Sequence, residues 1–401
     1  MQARLEIPAS EHKQRVTALQ ESLEASGLAA MCVFGPVRIS YLTGFHFAAT
    51  ERPVVLVVPA AGEPAMLIPH LEINHLQQQC PHMEHVRTYP EYPGGGSGKH
   101  PMLHLNDLLT DAGLGGARLA ADHDGYENRW GYRGPALSEV VGAPIALRLE
   151  LIDDLRIVKS DTEIALIREA CRWGDRAHRI MHDKIERGVS EVAVSRAASL
   201  EATDEMLVAL GERYVPKARD GMPANAMFIR GTNTANPHGL HGQAGVQPGD
   251  VIVTGAYGTV GGYESELERT MIFGEPDERF IKYFNAMAAA QDRGFQAIRP
   301  GRTCADVERD VRDFIHNELG MGDLLRHHTG HSFGLEGHEH PFLDLDDHSP
   351  IQVGMILSVE PGLYVPGYAG FRHSDTVLVT ESGCERLSLY PRELEEMIIR
   401  R

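Results

Sequence analysis

The 401-residue sequence lacks the marks of several protein classes. Its five cysteines are an odd number, lie far apart and form no CxxC pair, so neither a disulfide framework nor a zinc ribbon is indicated. It has no run of about 18 apolar residues that would predict a transmembrane helix, and its polar N-terminus has no apolar core of a signal peptide. Basic residues number 38 against 56 acidic ones, and the net charge of −18 argues against a nucleic-acid binder, which needs a basic face. We therefore expect a cytoplasmic protein that has neither a membrane nor a nucleic acid as its partner.

Two regions with different patterns follow one another along the chain. Residues 1–154 alternate between helical spacing of apolar residues and short apolar runs, and two such runs around AAGEP predict a β-hairpin. A cap at Ser160 or Asp161, followed by Glu163 and apolar residues at helical spacing, predicts the start of a long helix. From residue 226 onward Gly-rich strands and turns dominate. We predict an α+β protein, with an α/β domain over 1–154 and a second domain over 155–401 in which helices flank a curved antiparallel sheet.

Histidines are concentrated in one short segment. Five of the 21 lie within 327–340, in RHHTGHSFGLEGHEHP, where His331 and His338 have Gly-rich surroundings. Histidine is the usual proton carrier near neutral pH and a common metal ligand. His238 lies in a Gly-, Asn- and Pro-rich loop, GTNTANPHGLHG, of the kind that often carries function. A solvated imidazole is the alternative interpretation of each of these residues.

Acidic residues alternate in the segment GGYESELERT. Strand alternation places Glu264, Glu266 and Glu268 on one face. On a solvated face three carboxylates need no partner, whereas on an inward face they need a cation, shared protons or arginines. Glu360 follows the apolar run MILSV, and a charge in such a position is rarely buried without a partner.

Five motifs together resemble the pita-bread family, which includes methionine aminopeptidase, aminopeptidase P, prolidase and creatinase. The motifs GTNTANPH, GYESELERT, GHSFGLEGHEHP, SVEPGLYV and FRHSDTVLVT occur in the family's order. The segment GLAAMCVFGPVRISYLTGF is similar to the family's N-terminal domain, so the resemblance covers nearly the whole chain. It implies a creatinase-like N-terminal domain over 1–154 and a pita-bread catalytic domain over 155–401.

The resemblance also implies a metal site with fewer ligands than usual. In the family's peptidases Asp, Asp, His, Glu and Glu hold two metal ions. The matching positions in this chain are Gly255 (or Thr254 with a one-residue shift), Glu266, His331, Glu360 and Ser374. Glu266, His331 and Glu360 therefore remain as ligands, enough for one Mn²⁺, Zn²⁺ or Co²⁺ ion, with no metal as the alternative. His373 and Asp375 flank Ser374, but strand alternation directs both away from its face.

Two enzymatic hypotheses follow from the resemblance. HEHP at 338–341 is similar to the pattern of proline-specific peptidases, so His338 would act in catalysis and Glu339 in substrate binding. In this peptidase hypothesis an ion activates water, His238 and His338 orient the substrate and stabilise the tetrahedral oxygen, and Glu360 carries a proton.

The second hypothesis follows creatinase, which works without metal and shares LERT and GHSFG with this chain. His238 would be its acid/base, and Glu268 and Glu360 would hold a cationic group of the substrate. Arg52, in ERPVV, would bind the substrate carboxylate from a neighbouring subunit. Phe342 and Ser374 depart from the creatinase pattern.

Our interpretation is a hydrolase of a C–N bond that most resembles a Xaa-Pro aminopeptidase or dipeptidase with a reduced metal site, acting on a dipeptide, a peptide or another small molecule. A metal-independent amidinohydrolase is the first alternative. A non-catalytic binding protein of the same fold is the second, because fold does not determine function. A homodimer is expected, because Arg52 would have to reach across to another subunit.

Overall fold

The computed structural model describes residues 3–91, 98–126, 129–217 and 221–401, and the chain divides into two compact units. One unit comprises Ile7–Arg156, and the other comprises Ile157–Arg401 together with the first residues of the chain up to Glu6. Among the described residues, no helix combines the length and the apolar character needed to cross a membrane.

The N-terminal unit is a mixed six-stranded sheet with helices. Its helices are α1 (Ala9–Ala25), α2 (Pro36–Thr43), α3 (Ile73–Gln79), α4 (Pro101–Asp111), α5 (Leu137–Val141) and α6 (Glu150–Ile157). Its strands are β1 (Ala30–Val33), β2 (Val55–Pro59), β3 (Ala65–Pro69), β4 (His85–Tyr89), β5 (Leu119–Ala121) and β6 (Ala146–Leu147), in the order β4-β3-β2-β1-β5-β6. Strands β2 and β3 form the predicted hairpin, with Val55 opposite Leu67.

The C-terminal unit is built on a larger sheet. Its helices are α7 (Asp161–Lys184), α8 (Glu191–Leu210), α9 (Glu278–Ala297) and α10 (Cys304–Asp313). Its first strands are β7 (Ala224–Arg230), β8 (Val251–Val260), β9 (Tyr263–Glu264), β10 (Leu267–Glu268), β11 (Thr270–Phe273), β12 (Gly330–Ser332) and β13 (Glu339–Leu343). The remaining strands are β14 (Ile356–Val359), β15 (Gly362–Val365), β16 (Ala369–Arg372), β17 (Ser374–Thr380), β18 (Gly383–Arg386) and β19 (Ile398–Ile399).

Eleven of these strands form one sheet whose main path runs β13-β12-β14-β17-β10-β8-β11-β19. The pairs along this path are antiparallel except for β11 with β19. Strands β15 and β16 form a separate antiparallel pair. The predicted α+β class is confirmed.

Helix α7 begins where the sequence predicts it. The Ser160 hydroxyl accepts a hydrogen bond from the backbone N–H of Glu163, and the Glu163 carboxylate accepts one from the backbone N–H of Ser160. This reciprocal cap satisfies two of the amides that an α-helix leaves unpaired at its start. The apolar face of α7 packs on β8, and α8 packs on β7.

Candidate active site

Three predicted ligands, Glu266, His331 and Glu360, converge in the C-terminal unit. Each offers a ligand atom, and these atoms lie within 4.8 Å of one another. The Nε2 atom of His331 is 3.1 Å from Glu360 Oε1 and 3.6 Å from Glu266 Oε2. The sheet brings them together: Glu266 precedes β10, His331 lies in β12 and Glu360 follows β14, and β17 lies between β14 and β10.

The His331 ring is held so that one nitrogen faces the carboxylates. Its Nδ1 lies 3.0 Å from the carbonyl oxygen of Ser332, which can only accept a hydrogen bond, so Nδ1 carries the proton. Nε2 is then available to a metal, in the arrangement that histidine ligands usually adopt. The side chain is deeply buried, with 1% of the residue surface exposed.

The electrostatics of the cluster favour a bound cation. Burial, followed by the charge of Glu360, raises the pKa of Glu266 above its usual value. Burial alone would lower the pKa of His331, but the hydrogen bond that its ring donates to Glu360 and the charge of Glu266 outweigh it and raise that pKa. A divalent ion would offset the repulsion between the two carboxylates. Two carboxylates and one imidazole that leave further positions open are a donor set for one ion of the Mn²⁺, Zn²⁺ or Co²⁺ type.

The two remaining family positions hold no carboxylate. The Ser374 hydroxyl donates a hydrogen bond to Glu266 Oε1 at 2.6 Å, so it supports a ligand without replacing one. Thr254 is engaged elsewhere, because its hydroxyl donates to the backbone carbonyl of Arg269 and accepts from the Arg269 N–H.

The residues that flank Ser374 point away from the cluster, as alternation predicts. Asp375 is fully buried and accepts hydrogen bonds from the guanidinium of Arg269 and from the Ser388 hydroxyl. His373 is also fully buried and packs edge-on against Phe284, with the ring centroids 5.3 Å apart. Neither side chain supplies the missing ligand.

Sequence reasoning missed Arg372, the cation of this site. Its Nη2 donates to Glu268 Oε1 at 2.6 Å, Nε forms an ion pair with the other oxygen of Glu268, and Nε is 3.9 Å from Glu360 Oε2. Only 8% of the Arg372 surface is exposed. The signal was present in FRHSD, where Arg372 precedes Ser374 by two residues and so shares its face in an extended chain.

The expected catalytic role of Glu268 stays a prediction, and the structure shows which partner its carboxylate has. Its carboxylate is engaged by Arg372, although burial is the dominant influence and raises the Glu268 pKa. The structure gives Glu268 the role of a partner for Arg372, because both of its oxygens contact the guanidinium.

His327 is a second residue that the sequence did not single out. Its Nε2 is 2.8 Å from the Tyr364 hydroxyl, which accepts a hydrogen bond from Arg372 Nη1 at 3.1 Å. Burial lowers the pKa of His327. Tyr364 thus links the histidine-rich segment to the arginine. The only signal in the sequence was the density of histidines.

The two other predicted histidines lie at the exposed side of the cluster. His338 stacks on His331, with ring centroids 3.8 Å apart and planes 19° from parallel. Burial, followed by the charge of His331, lowers the pKa of His338, and His238 also contributes to this shift. His238 lies on an exposed loop.

Two predicted substrate-binding residues have partners of their own. Glu339 is only 7% exposed; Lys159 Nζ is 3.4 Å from its Oε2, and the backbone N–H of Glu336 donates to its Oε1. Its carboxylate is turned into the protein, and the expected substrate contact of Glu339 stays a prediction. Arg52 lies in the N-terminal unit, where it pairs with Glu51 and Glu91.

A cavity of about 220 Å³ adjoins the ligands. Its lining includes Glu266, Glu268 and His338, and also the apolar side chains of Met227 and Phe333. The cavity is small, so it suits one or two amino-acid residues rather than a long chain.

Comparisons with known proteins agree with this architecture. The profile of metallopeptidase family M24 matches residues 165–381, and that of the creatinase/prolidase N-terminal domain matches residues 15–158. A probable dipeptidase PepE of Mycobacterium tuberculosis is 31% identical over 384 residues, which cover 96% of both chains. A Xaa-Pro dipeptidase of Pyrococcus furiosus is 34% identical over 245 residues, 61% of this chain and 67% of that protein.

Solved structures share the fold over the full length. The crystal structure of dipeptidase PepE from Mycobacterium ulcerans superposes with a TM-score of 0.82 at 28% identity, covering 99% of this chain and all of that one. A Xaa-Pro dipeptidase from Bacillus anthracis, at 23% identity, superposes with a TM-score of 0.81 over 97% of this chain and all of that chain, which shows the fold alone. The family predicted from the five motifs is confirmed: this chain belongs to metallopeptidase family M24 and is a hydrolase of the peptidase type.

Proposed function

We propose that this protein is a Xaa-Pro dipeptidase whose reduced metal site is formed by Glu266, His331 and Glu360. The observation that carries the proposal is the convergence of three ligand atoms within 4.8 Å beside a cavity of dipeptide size. The relatives named dipeptidase PepE and Xaa-Pro dipeptidase support the substrate class.

The mechanism assigns each residue a separate task. A divalent ion, when bound, lowers the pKa of water and polarises the scissile carbonyl. Glu360 accepts the proton of the attacking water and passes it to the leaving nitrogen. His338, at the open side of the cluster, donates a hydrogen bond to the developing oxyanion, and His238 orients the end of the substrate from its exposed loop.

Arg372 weighs against the amidinohydrolase alternative. That mechanism needs Glu268 and Glu360 to receive a cationic group of the substrate. The guanidinium of Arg372 already contacts both carboxylates, at 2.6 Å and 3.9 Å respectively. A second guanidinium at the same place would meet like charge, so the arrangement favours the peptidase.

The test is a substrate panel combined with metal removal. The purified chain is assayed on Xaa-Pro dipeptides, on the same dipeptides with alanine in place of proline, and on creatine. We expect selective hydrolysis of the proline series that is lost on chelation and restored by Mn²⁺, Zn²⁺ or Co²⁺. Hydrolysis of creatine that survives chelation would overturn the proposal in favour of the alternative.

The placement in the cytoplasm and the homodimer stay predictions. The role of Arg52 depends on the second of them, because it requires a neighbouring subunit.

A further inference from the structure

Lys159 is a buried lysine that the mechanism above does not use. It directly precedes Ser160, the cap of α7, and only 1% of its side chain is exposed. Its backbone N–H donates to the carbonyl oxygen of Gly354 at 3.0 Å, which fixes the base of the side chain. A buried ammonium group needs partners that compensate for its lost hydration, so its contacts indicate what it holds in place.

The ammonium group of Lys159 joins the two strands of the β12–β13 pair. Its Nζ donates to the Ser332 hydroxyl at 2.8 Å and lies 3.4 Å from Glu339 Oε2. Ser332 is the last residue of β12, Glu339 is the first residue of β13, and the two are opposite each other in the sheet. Lys159 therefore closes the base of the segment 333–338 that connects the strands.

Each of these two contacts is next in the sequence to one of the stacked imidazoles. Ser332 follows His331, and its carbonyl oxygen accepts the hydrogen bond from His331 Nδ1. Glu339 follows His338, whose ring stacks on that of His331 with the centroids 3.8 Å apart. The placement of one ring over the other thus depends on how the two strands are held at this point.

The packing around the ion pair leaves little room for another arrangement. A Cβ atom on Gly334 would lie 3.2 Å from each carboxylate oxygen of Glu339 and 3.3 Å from Lys159 Cε. The backbone N–H of Glu336 donates to Glu339 Oε1 at 3.1 Å. The Glu339 carboxylate is held from two sides, by the ammonium group and by the connecting segment, so the loss of Lys159 would release that segment.

We propose that Lys159 is a positioning residue that fixes His338 over His331 for catalysis. The inference rests on the proposed function, in which His338 donates a hydrogen bond to the oxyanion, and it adds the residue that determines where this donor lies. Lys159 acts through Ser332 and Glu339. Because the oxyanion forms only in the transition state, a displaced donor lowers kcat and leaves KM nearly unchanged.

The variant Lys159→Met tests the inference in two ways. On Xaa-Pro dipeptides with Mn²⁺ in excess we expect kcat to fall by about 10²-fold, the effect of a misplacement of about 1 Å, with KM nearly unchanged. Amide hydrogen exchange does not depend on activity, and we expect faster exchange in residues 333–338. Lys184→Met is the matched control, because it removes a partly exposed lysine that pairs with Glu201, and both measurements should equal those of the unaltered chain.

A double variant separates positioning from the neutralisation of a charge. Lys159→Met leaves the Glu339 carboxylate buried without its cation, which can prevent folding. Combining it with Glu339→Gln removes both charges, and the amide oxygen can still accept from Glu336. We expect the double variant to fold, as checked by circular dichroism, to exchange faster in 333–338 and to keep the low kcat.

The outcomes separate this inference from the proposed function. A folded Lys159→Met protein with the kcat of the unaltered chain, or with unchanged exchange in 333–338, would overturn the role of Lys159. Recovery of kcat in the double variant would do the same, since Lys159 would then only neutralise Glu339. If the unaltered chain cleaves no dipeptide, the proposed function fails, and the exchange rates still decide whether Lys159 anchors the segment.

Discussion

At the scale of single residues, Arg269 is a buried charge with a full set of partners. It forms an ion pair with Asp375 at 2.8 Å, both side chains are fully buried, and its other N–H groups donate to backbone carbonyls that include those of Pro391 and Tyr390. A buried charge is tolerated only when its partner and its hydrogen bonds are complete. Arg269 therefore holds β10 beside β17 from the side opposite the ligands.

Replacing Arg269 by Leu is expected to lower the free energy of unfolding by about 3–5 kcal/mol, because the Asp375 carboxylate would stay buried without its partner. Urea denaturation measures the change. The exposed pair of Arg168 with Glu385 provides the control, since Arg168→Leu is expected to cost less than about 1 kcal/mol. Equal losses in the two variants would contradict the assignment.

The stacked histidines allow a second prediction at this scale. His331→Ala is expected to lose metal retention, because it removes one of three ligands. His338→Ala is expected to retain metal and to lower kcat/KM by about 10²-fold or more, the effect of removing one oxyanion donor. Elemental analysis and dipeptide kinetics on the same preparations test both variants. Loss of metal from His338→Ala would show that His338 is a ligand instead.

At the scale of secondary-structure elements, the contact between α7 and β8 requires a glycine. A Cβ atom on Gly258 would lie 2.2 Å from the carbonyl oxygen of Ala170 in α7. Backbone atoms cannot yield as a flexible side chain does, so the helix lies against the strand only while residue 258 has no side chain.

We expect Gly258→Ala to lower the free energy of unfolding by about 1–3 kcal/mol, the usual cost of overpacking. Gly115→Ala serves as the control, because a Cβ there meets its nearest neighbour at 3.8 Å, an ordinary contact distance. Denaturant unfolding followed by tryptophan fluorescence reports the effect of Gly258→Ala, since Trp173 lies in α7. An unfolding curve identical to that of the unaltered chain would show that α7 can shift away from β8 with no loss of stability.

At the scale of the whole molecule, stability depends on pH through Asp175 in α7. Burial raises the pKa of Asp175 to about 6, although the backbone N–H of Leu389 and the charge of Arg269 oppose the shift. The unfolded value is about 4. Because the folded pKa is the higher one, protonated Asp175 stabilises the folded state. This contribution to the free energy of unfolding is fully present below about pH 4 and is lost as the pH rises through about 6.

The variant Asp175→Asn should remove this part of the pH dependence. We expect the free energy of unfolding of the variant minus that of the unaltered chain to increase between pH 4 and pH 6.5 and then to level off. The unaltered chain loses stability over this range and the variant does not. Urea titrations at half-unit pH steps would show the difference. A constant difference across this range would mean that Asp175 titrates normally in the folded protein.

The predicted homodimer yields another test at this scale. Arg52→Ala and His331→Ala subunits are each expected to be inactive when produced alone. The two variants are then coexpressed. If Arg52 completes the site of a neighbouring subunit, random pairing restores about a quarter of the intact sites. The matched control replaces Arg87, which pairs with Asp111 on the surface, and is expected to retain activity by itself. No recovery in the mixture would show that Arg52 does not act on a neighbouring subunit, and full activity of Arg52→Ala by itself would place Arg52 outside the site.

The sequence by itself determined the local structure and the choice of candidate metal ligands. The reciprocal cap at Ser160, the hairpin of β2 and β3, and the α+β class follow from patterns within a few residues. Glu266, His331 and Glu360 could be singled out because each lies in a short motif of its own. These motifs and their order can be recognised without knowledge of the packing.

Only the tertiary structure decided which charges are paired. Arg372 and Glu268 are 104 residues apart, and Lys159 and Glu339 are 180 residues apart. Such pairs depend on strand order and on register, where a shift of one residue turns every side chain to the other face. The sequence lists the charged groups of this protein, but the register of β8, β10 and β17 sets the partner of each one, and hence which carboxylates are left for a metal ion.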